Sequence, residues 1–155
     1  MGLDMYLSAE KYISGYDHDK NENFGKVLDL FNLNEDDVHN SITVNITVGY
    51  WRKANAIHNW FVQNIQDGRD DCQRSYVRRE KLLELKSECE AALAAYNNGD
   101  KDTAENLIPP TSGFFFGSTE VDDWYKADLV ETIKIINTCL SDKLNGFGFY
   151  YQSSW

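Results

Sequence analysis

Hydrophobic positions along this 155-residue chain recur with two periods. Near residues 2–8, Leu3, Met5 and Leu7 alternate with Asp4, Tyr6 and Ser8, the period of a half-buried strand. Residues 10–16 either continue it past a bend or supply a hairpin partner. Residues 41–49 repeat the pattern more cleanly, with Ile42, Val44, Ile46 and Val48 between Thr43, Asn45, Thr47 and Gly49. Residues 147–155 alternate again through Phe147, Phe149, Tyr151, Ser153 and Trp155. Four stretches follow the helical period instead, near 24–33, 50–66, 78–96 and 119–140. Asp67-Gly68 and Asn97-Asn98-Gly99 stop the second and third, and Ser118 or Thr119 caps the fourth. Asp102 to Leu107 adds a helical turn or two before Pro109-Pro110 breaks it. Residues 69–77 read as a connector. This order predicts an α+β fold, a small, mostly antiparallel sheet with about four helices, in a single domain over 1–155. The first and last strands are expected to pair.

The helical stretch that begins at Tyr50 mixes core-like and site-like residues more densely than any other. On a 3.6 period Trp51, Ala54, His58, Phe61, Val62 and Ile65 share one face. Arg52, Asn59, Gln63 and Gln66 share another, and Lys53, Trp60 and Asn64 lie opposite His58. His58 reads either as a buried histidine satisfied by hydrogen bonds or as the floor of a pocket that binds a polar ligand or moves a proton.

Charge sharpens the picture. The chain carries a net charge of −10, and 26% of its residues are charged. The balance is uneven: −6 over residues 1–50, +3 over 51–81 and −7 over 82–155. Overall acidity argues against a general nucleic-acid surface, so direct nucleic-acid binding is not expected. The basic island argues for a local anion site. No run approaches the ~20 apolar residues of a membrane span. The start of the chain lacks the basic and apolar regions of a secretory signal. The three cysteines, Cys72, Cys89 and Cys139, form no CxxC pair. These features predict a cytoplasmic, reduced setting.

Within the basic island, Arg69, Arg74, Arg78, Arg79 and Lys81 gather before and at the start of the long helix. They read either as partners of nearby Asp70, Asp71, Glu80 and Glu84 or as a clamp for phosphate or carboxylate, which arginine grips bidentately. Ser112 to Thr119 brackets three phenylalanines with glycines ahead of a helix, and Gly117-Ser118-Thr119 offers N–H groups and hydroxyls to an anion. The alternative is a buried aromatic segment with an ordinary helix cap. His58, Asp70, Asp71 and Cys72 match no metal-ligand spacing, and no serine lies in a nucleophile elbow. No metal, cofactor or catalytic residue is assigned.

Five blocks in fixed order, MGLDMYL, YWRKANAIHNWFV, the segment from Gln66 to Cys72, SGFFFGSTEVDDWY and the ending YYQSSW, resemble a family of small proteins spread through bacteriophage, prophage and bacterial genomes. The likeness covers essentially the whole chain. It implies a phage or mobile-element setting and a single cytosolic domain, and it transfers no catalytic residue. The family's long helix starts with a serine where this chain has Arg78, which weakens Arg78 as an essential clamp.

Together these readings favour a protein that binds a small anionic molecule, such as a nucleotide-derived host defence signal, without turning it over. The pocket is expected between the 50–66 helix, the 113–119 turn and the C-terminal strand. Arg52, His58, Trp60, Tyr125 and Trp155 would supply stacking and polar contacts, and Arg74, Arg78, Ser118 and Thr119 the anion contacts. Two rivals stand beside it. One is an acidic inhibitor of a host protein that binds nucleic acid or serves defence. The other is an enzyme with His58 as general base and Asp70 or Asp71 as its orienter.

Overall fold

Alternation and helical periodicity both survive in the folded chain, with boundaries moved by tertiary contacts. A computed structural model describes residues 2–155. The elements are β1 (Asp4–Ser14), α1 (Phe24–Asp29), β2 (Ser41–Arg52), α2 (Asn55–Ile65), β3 (Ser75–Val77), α3 (Arg79–Asn97), α4 (Lys101–Leu107), α5 (Asp123–Leu140) and β4 (Gly148–Ser154). Single 3₁₀ turns cover Glu35–Asp37 and Asp142–Leu144. The strands form one antiparallel sheet in the order β2-β1-β4-β3, so the first and last strands are neighbours as expected. The α+β architecture is therefore the observed one.

Several boundaries differ from the periodicity reading. Residues 10–14 continue the first strand. The second strand runs on to Arg52, and its buried residues at that end, Gly49 and Trp51, have the parity opposite to Ile42, Val44, Ile46 and Val48; Ile46, expected on the buried face, is exposed, and the helix starts only at Asn55. The 69–77 connector contains β3, three residues that pair with β4 through Ser75↔Tyr151, Tyr76↔Tyr150 and Val77↔Phe149. So short a strand carries no period of its own. The fourth helix begins at Asp123 rather than 119. Its cap is Asp122, whose carboxylate accepts from the N–H groups of Trp124 and Tyr125. Neither Ser118 nor Thr119 caps it. The first helix stops at Asp29, and Leu30, Phe31 and Leu33 beyond it are exposed.

The chain divides into two compact units. Residues 10–46 hold a small core of Ile13, Phe24 and Leu28, flanked by Val27, Val38, Ile42 and Val44. Residues 1–9 and 47–155 hold the main core. There Leu3, Met5, Leu7, Trp51, Phe149 and Tyr151 project from one face of the sheet into the apolar faces of α2, α3 and α5. α3 packs on both α4 and α5, and Leu82, Leu85, Cys89 and Ala92 form its buried stripe, as the spacing predicts. Cys89 and Cys139 are free thiols in this core, and burial holds both well above the ordinary thiol range, which makes them unreactive. Among the described residues no helix is long and apolar enough to cross a membrane.

Candidate functional site

α2 is buried on nearly every side. Asn55, Ala56, Ile57, His58, Trp60, Phe61 and Val62 are all inaccessible, so its polar side chains must find partners inside the protein. His58 is fully buried and bonded at both nitrogens. Nε2 lies 2.9 Å from Asp70 Oδ2, and Nδ1 lies 2.7 Å from the Tyr151 hydroxyl. Burial, and next the negative Asp70, hold the Tyr151 hydroxyl well above the ordinary phenol range, so it keeps its proton beside Nδ1. The ring then donates from Nε2 to Asp70, which also accepts from the Trp155 indole N–H at 2.9 Å. Tyr151 stacks on Phe61 with ring centres 3.9 Å apart and planes 7° apart. The chain Trp155–Asp70–His58–Tyr151 thus ties β4 and the loop after α2 to the helix.

Asn55 does the same for the glycine-bracketed loop. Its amide nitrogen donates to the carbonyls of Phe116 (3.2 Å) and Ser118 (2.8 Å), and its oxygen accepts from the N–H of Thr111 (3.2 Å). Phe116 is buried edge-on against His58, with centres 5.3 Å apart. Gly117, at φ +94°, passes so close to Lys53 that a Cβ would lie 3.2 Å from the lysine Cβ. Lys53 itself adopts φ +62° between β2 and α2, a conformation that L residues seldom take, and its N–H donates to Leu3 O at 2.8 Å.

This pinning opens a cleft of about 530 Å³ beside the start of α2, within the range of small-molecule sites. Arg52, Lys53, Asn55 and Ala56 form one wall, and Pro110, Gly117 and Ser118 form the second. The third wall comes from the start of α5 and the residues before it, with Glu120, Asp122, Trp124, Tyr125 and Asp128. Trp124 is 80% exposed at the rim. Tyr125 is held by its hydroxyl, which donates to the carbonyls of Ala104 (2.8 Å) and Ile108 (3.0 Å). Burial, and next the neighbouring Asp122, push the Asp128 carboxyl up to about 7. It therefore lies between its acid and carboxylate forms near neutral pH and can donate or accept a hydrogen bond.

The expected site residues separate. Arg52, Ser118 and Tyr125 line the cleft. His58 and Trp155 belong to the network behind Phe116, so the C-terminal strand is not the cleft's third wall. Trp60 is core rather than off-face, and its indole N–H donates to Glu88 at 2.7 Å. Arg74 lies 3.8 Å over the Tyr150 ring. Arg78 is the residue before α3, and Thr119 is exposed outside the cleft. The basic island does not converge: Arg69 pairs with Asp71 at 2.8 Å, Lys81 with Glu84 at 2.7 Å, and Arg79 donates to Leu140 O at 3.1 Å. Among the described residues no group of three His, Cys, Asp or Glu side chains converges as metal ligands would.

Sequence reasoning passed over Lys53, Asn55, Trp124 and Asp128. Asp128 left a readable trace, an acid three residues after Tyr125 and four before Thr132, beside the inward face of the helix. Asn55 left none, because an asparagine gripping a loop some 60 positions away has no local pattern. Searches against protein-family models, curated proteins and solved structures find no match for this chain.

Two outcomes follow from these contacts. Tyr151→Phe leaves Nδ1 of a fully buried histidine without its partner, and should lower the unfolding free energy by about 1–3 kcal/mol in urea denaturation. An unchanged midpoint would show that the hydroxyl is not needed. For Asp128, the unfolded carboxyl titrates near ~4 and the folded one near 7, so the folded state holds the proton more tightly. Its contribution is fully present below about pH 4 and is lost as pH rises through 7. Asp128→Asn should therefore raise Tm at pH 8 by about 2–4 °C, roughly 1 kcal/mol after allowance for partial solvent access, with the gain shrinking toward pH 5 in calorimetry.

Proposed function

We propose that this chain binds a small anionic molecule that carries a flat ring, a nucleotide or nucleotide-derived signal, and holds it without turnover. The observation that carries this reading is one cleft in which Arg52 and Lys53 form one wall with Ser118 opposite, and Trp124 and Asp128 stand on the third beside Glu120 and Asp122. The two cations suit a phosphate or carboxylate, the exposed indole offers a stacking face, and a carboxyl near its titration point suits the donor and acceptor edge of a base. The burial of His58 between Asp70 and Tyr151 supports binding without turnover, since the histidine is committed to its two partners. The resemblance to phage proteins suggests a host cytoplasm as the setting and a defence signal as the ligand. Titration calorimetry with mono-, di- and cyclic nucleotides should show heat for at least one member. Arg52→Gln and Trp124→Ala should each weaken that binding about ten-fold. Absence of heat across the panel would end the reading.

A second reading, an acidic inhibitor of a host protein, has its own observation in the unit over residues 10–46. Leu30 and Phe31 are 78% and 68% exposed, and Asp29, Glu35, Asp36 and Asp37 flank them in sequence. An apolar tip among acids suits a basic-rimmed pocket on a partner. A host protein retained on the immobilised chain, released by salt and no longer retained by Phe31→Ser, is the expected result. Retention indifferent to both would discard it.

A further inference from the structure

One face of the sheet carries the helices, and the other carries a row of tyrosines. Across the strand order β2-β1-β4-β3 they are Tyr50, Tyr6, Tyr150 and Tyr76. Each stands on the parity opposite to its strand's buried residues, namely Trp51, Met5 and Leu7, Phe149 and Tyr151, and Val77. They form two pairs. The Tyr50 and Tyr6 ring centres lie 5.4 Å apart, and Tyr150 and Tyr76 are direct cross-strand partners with centres 5.5 Å apart. Tyr6, Tyr50 and Tyr76 are 38%, 48% and 58% exposed, although a large aromatic is costly to leave in water.

The basic island supplies the charge at both edges of this face. Arg52 ends β2, with its Nε 3.9 Å from Asp4, which also accepts from the Tyr50 hydroxyl at 2.5 Å. At the other edge the Arg74 guanidinium lies 3.8 Å over the Tyr150 ring, and exposed Arg78 shares the parity of Tyr76 just beyond β3. Three cations of the basic island, Arg52, Arg74 and Arg78, flank this face, with Asp4 beside the first of them. A duplex presents stacked, hidden bases and a high charge density that the rest of the chain would repel. A single strand presents ring faces to the tyrosines and a few phosphates to the arginines.

We infer that the open sheet face binds single-stranded nucleic acid, with bases stacked on the exposed Tyr6, Tyr50 and Tyr76 and phosphates on the arginines at its edges. A four-stranded sheet with exposed aromatics accommodates about two or three bases in this way. Arg52 also lines the cleft, but none of the four tyrosines does, so the tyrosine variants test this face apart from the small-molecule reading.

Fluorescence anisotropy of labelled oligothymidylate and oligouridylate of about ten nucleotides, with a duplex of equal length, tests it. Both single strands, or one if the sugar is read, should bind at about 50 mM salt and weaken toward about 200 mM, with the duplex at least ten-fold weaker. Tyr6→Ala and Tyr76→Ala should each cost about ten-fold, whereas Tyr6→Phe and Tyr76→Phe keep the ring and should stay within about two-fold. Circular dichroism confirms that each variant is folded. Absence of single-strand binding, equal duplex binding, or indifference to both alanine variants would overturn the proposal. So would a dimer in sedimentation that the alanine variants dissociate, which would assign the face to a second copy of the chain.

Discussion

A helix buried on almost every side cannot leave its polar side chains to water, and α2 is such a helix. Two of those side chains, Asn55 and His58, decide what can surround it. Each left unpaired would cost about 1–3 kcal/mol, a large part of a domain's net stability. His58 therefore gathers Asp70, Tyr151 and, through Asp70, Trp155. Asn55 gathers Thr111, Phe116 and Ser118. Three stretches far apart in the chain are fixed by two residues on adjacent turns of one helix. The cleft is the space left where the loop held by Asn55 meets the start of α5.

This arrangement separates buried, paired groups from groups that face open space. The histidine and nearby aspartate that stand out in the sequence are hydrogen-bonded to each other and to Tyr151 and Trp155, tying strand and loop to the helix. Groups that face open space are less conspicuous: Arg52 and Lys53 at a strand-to-helix turn, Trp124 at a helix start, and Asp128 one turn further on. Thr132 helps to set the last of these. Its hydroxyl donates to the Asp128 carbonyl at 2.7 Å and accepts from the Trp51 indole at 2.9 Å, so α5 is keyed to β2 beside the cleft. The outer sheet face depends on the same core, because parity on each strand is set by which residues face the helices.

Strand and helix identities were legible where one face is buried and the pattern is long enough to show a period. β1, α3, α5 and β4 all meet that condition, whereas in the first half of β2 Ile42 and Val44 are only partly buried and Ile46 is exposed. β3 does not, since Ser75, Tyr76 and Val77 become a strand only by pairing with β4. The α2 pattern misled in the opposite sense. Trp60 was assigned away from the core because a surface helix has one apolar face, whereas α2 is covered on several sides. The cap of α5 at Asp122 rather than Ser118 or Thr119 turned on where the preceding loop was anchored, and Asn55 anchors it.

Local patterns in the sequence determined the α+β class, most helices, three of the four strands and the basic island within an acidic chain. Those properties follow from periodicity and composition over short windows. Tertiary structure alone decided that His58 would be enclosed, that the arginines of the island would part company, and that four tyrosines from four strands would share one surface. Each depends on contacts between positions tens of residues apart, and the helical and strand periods carry no information over that range.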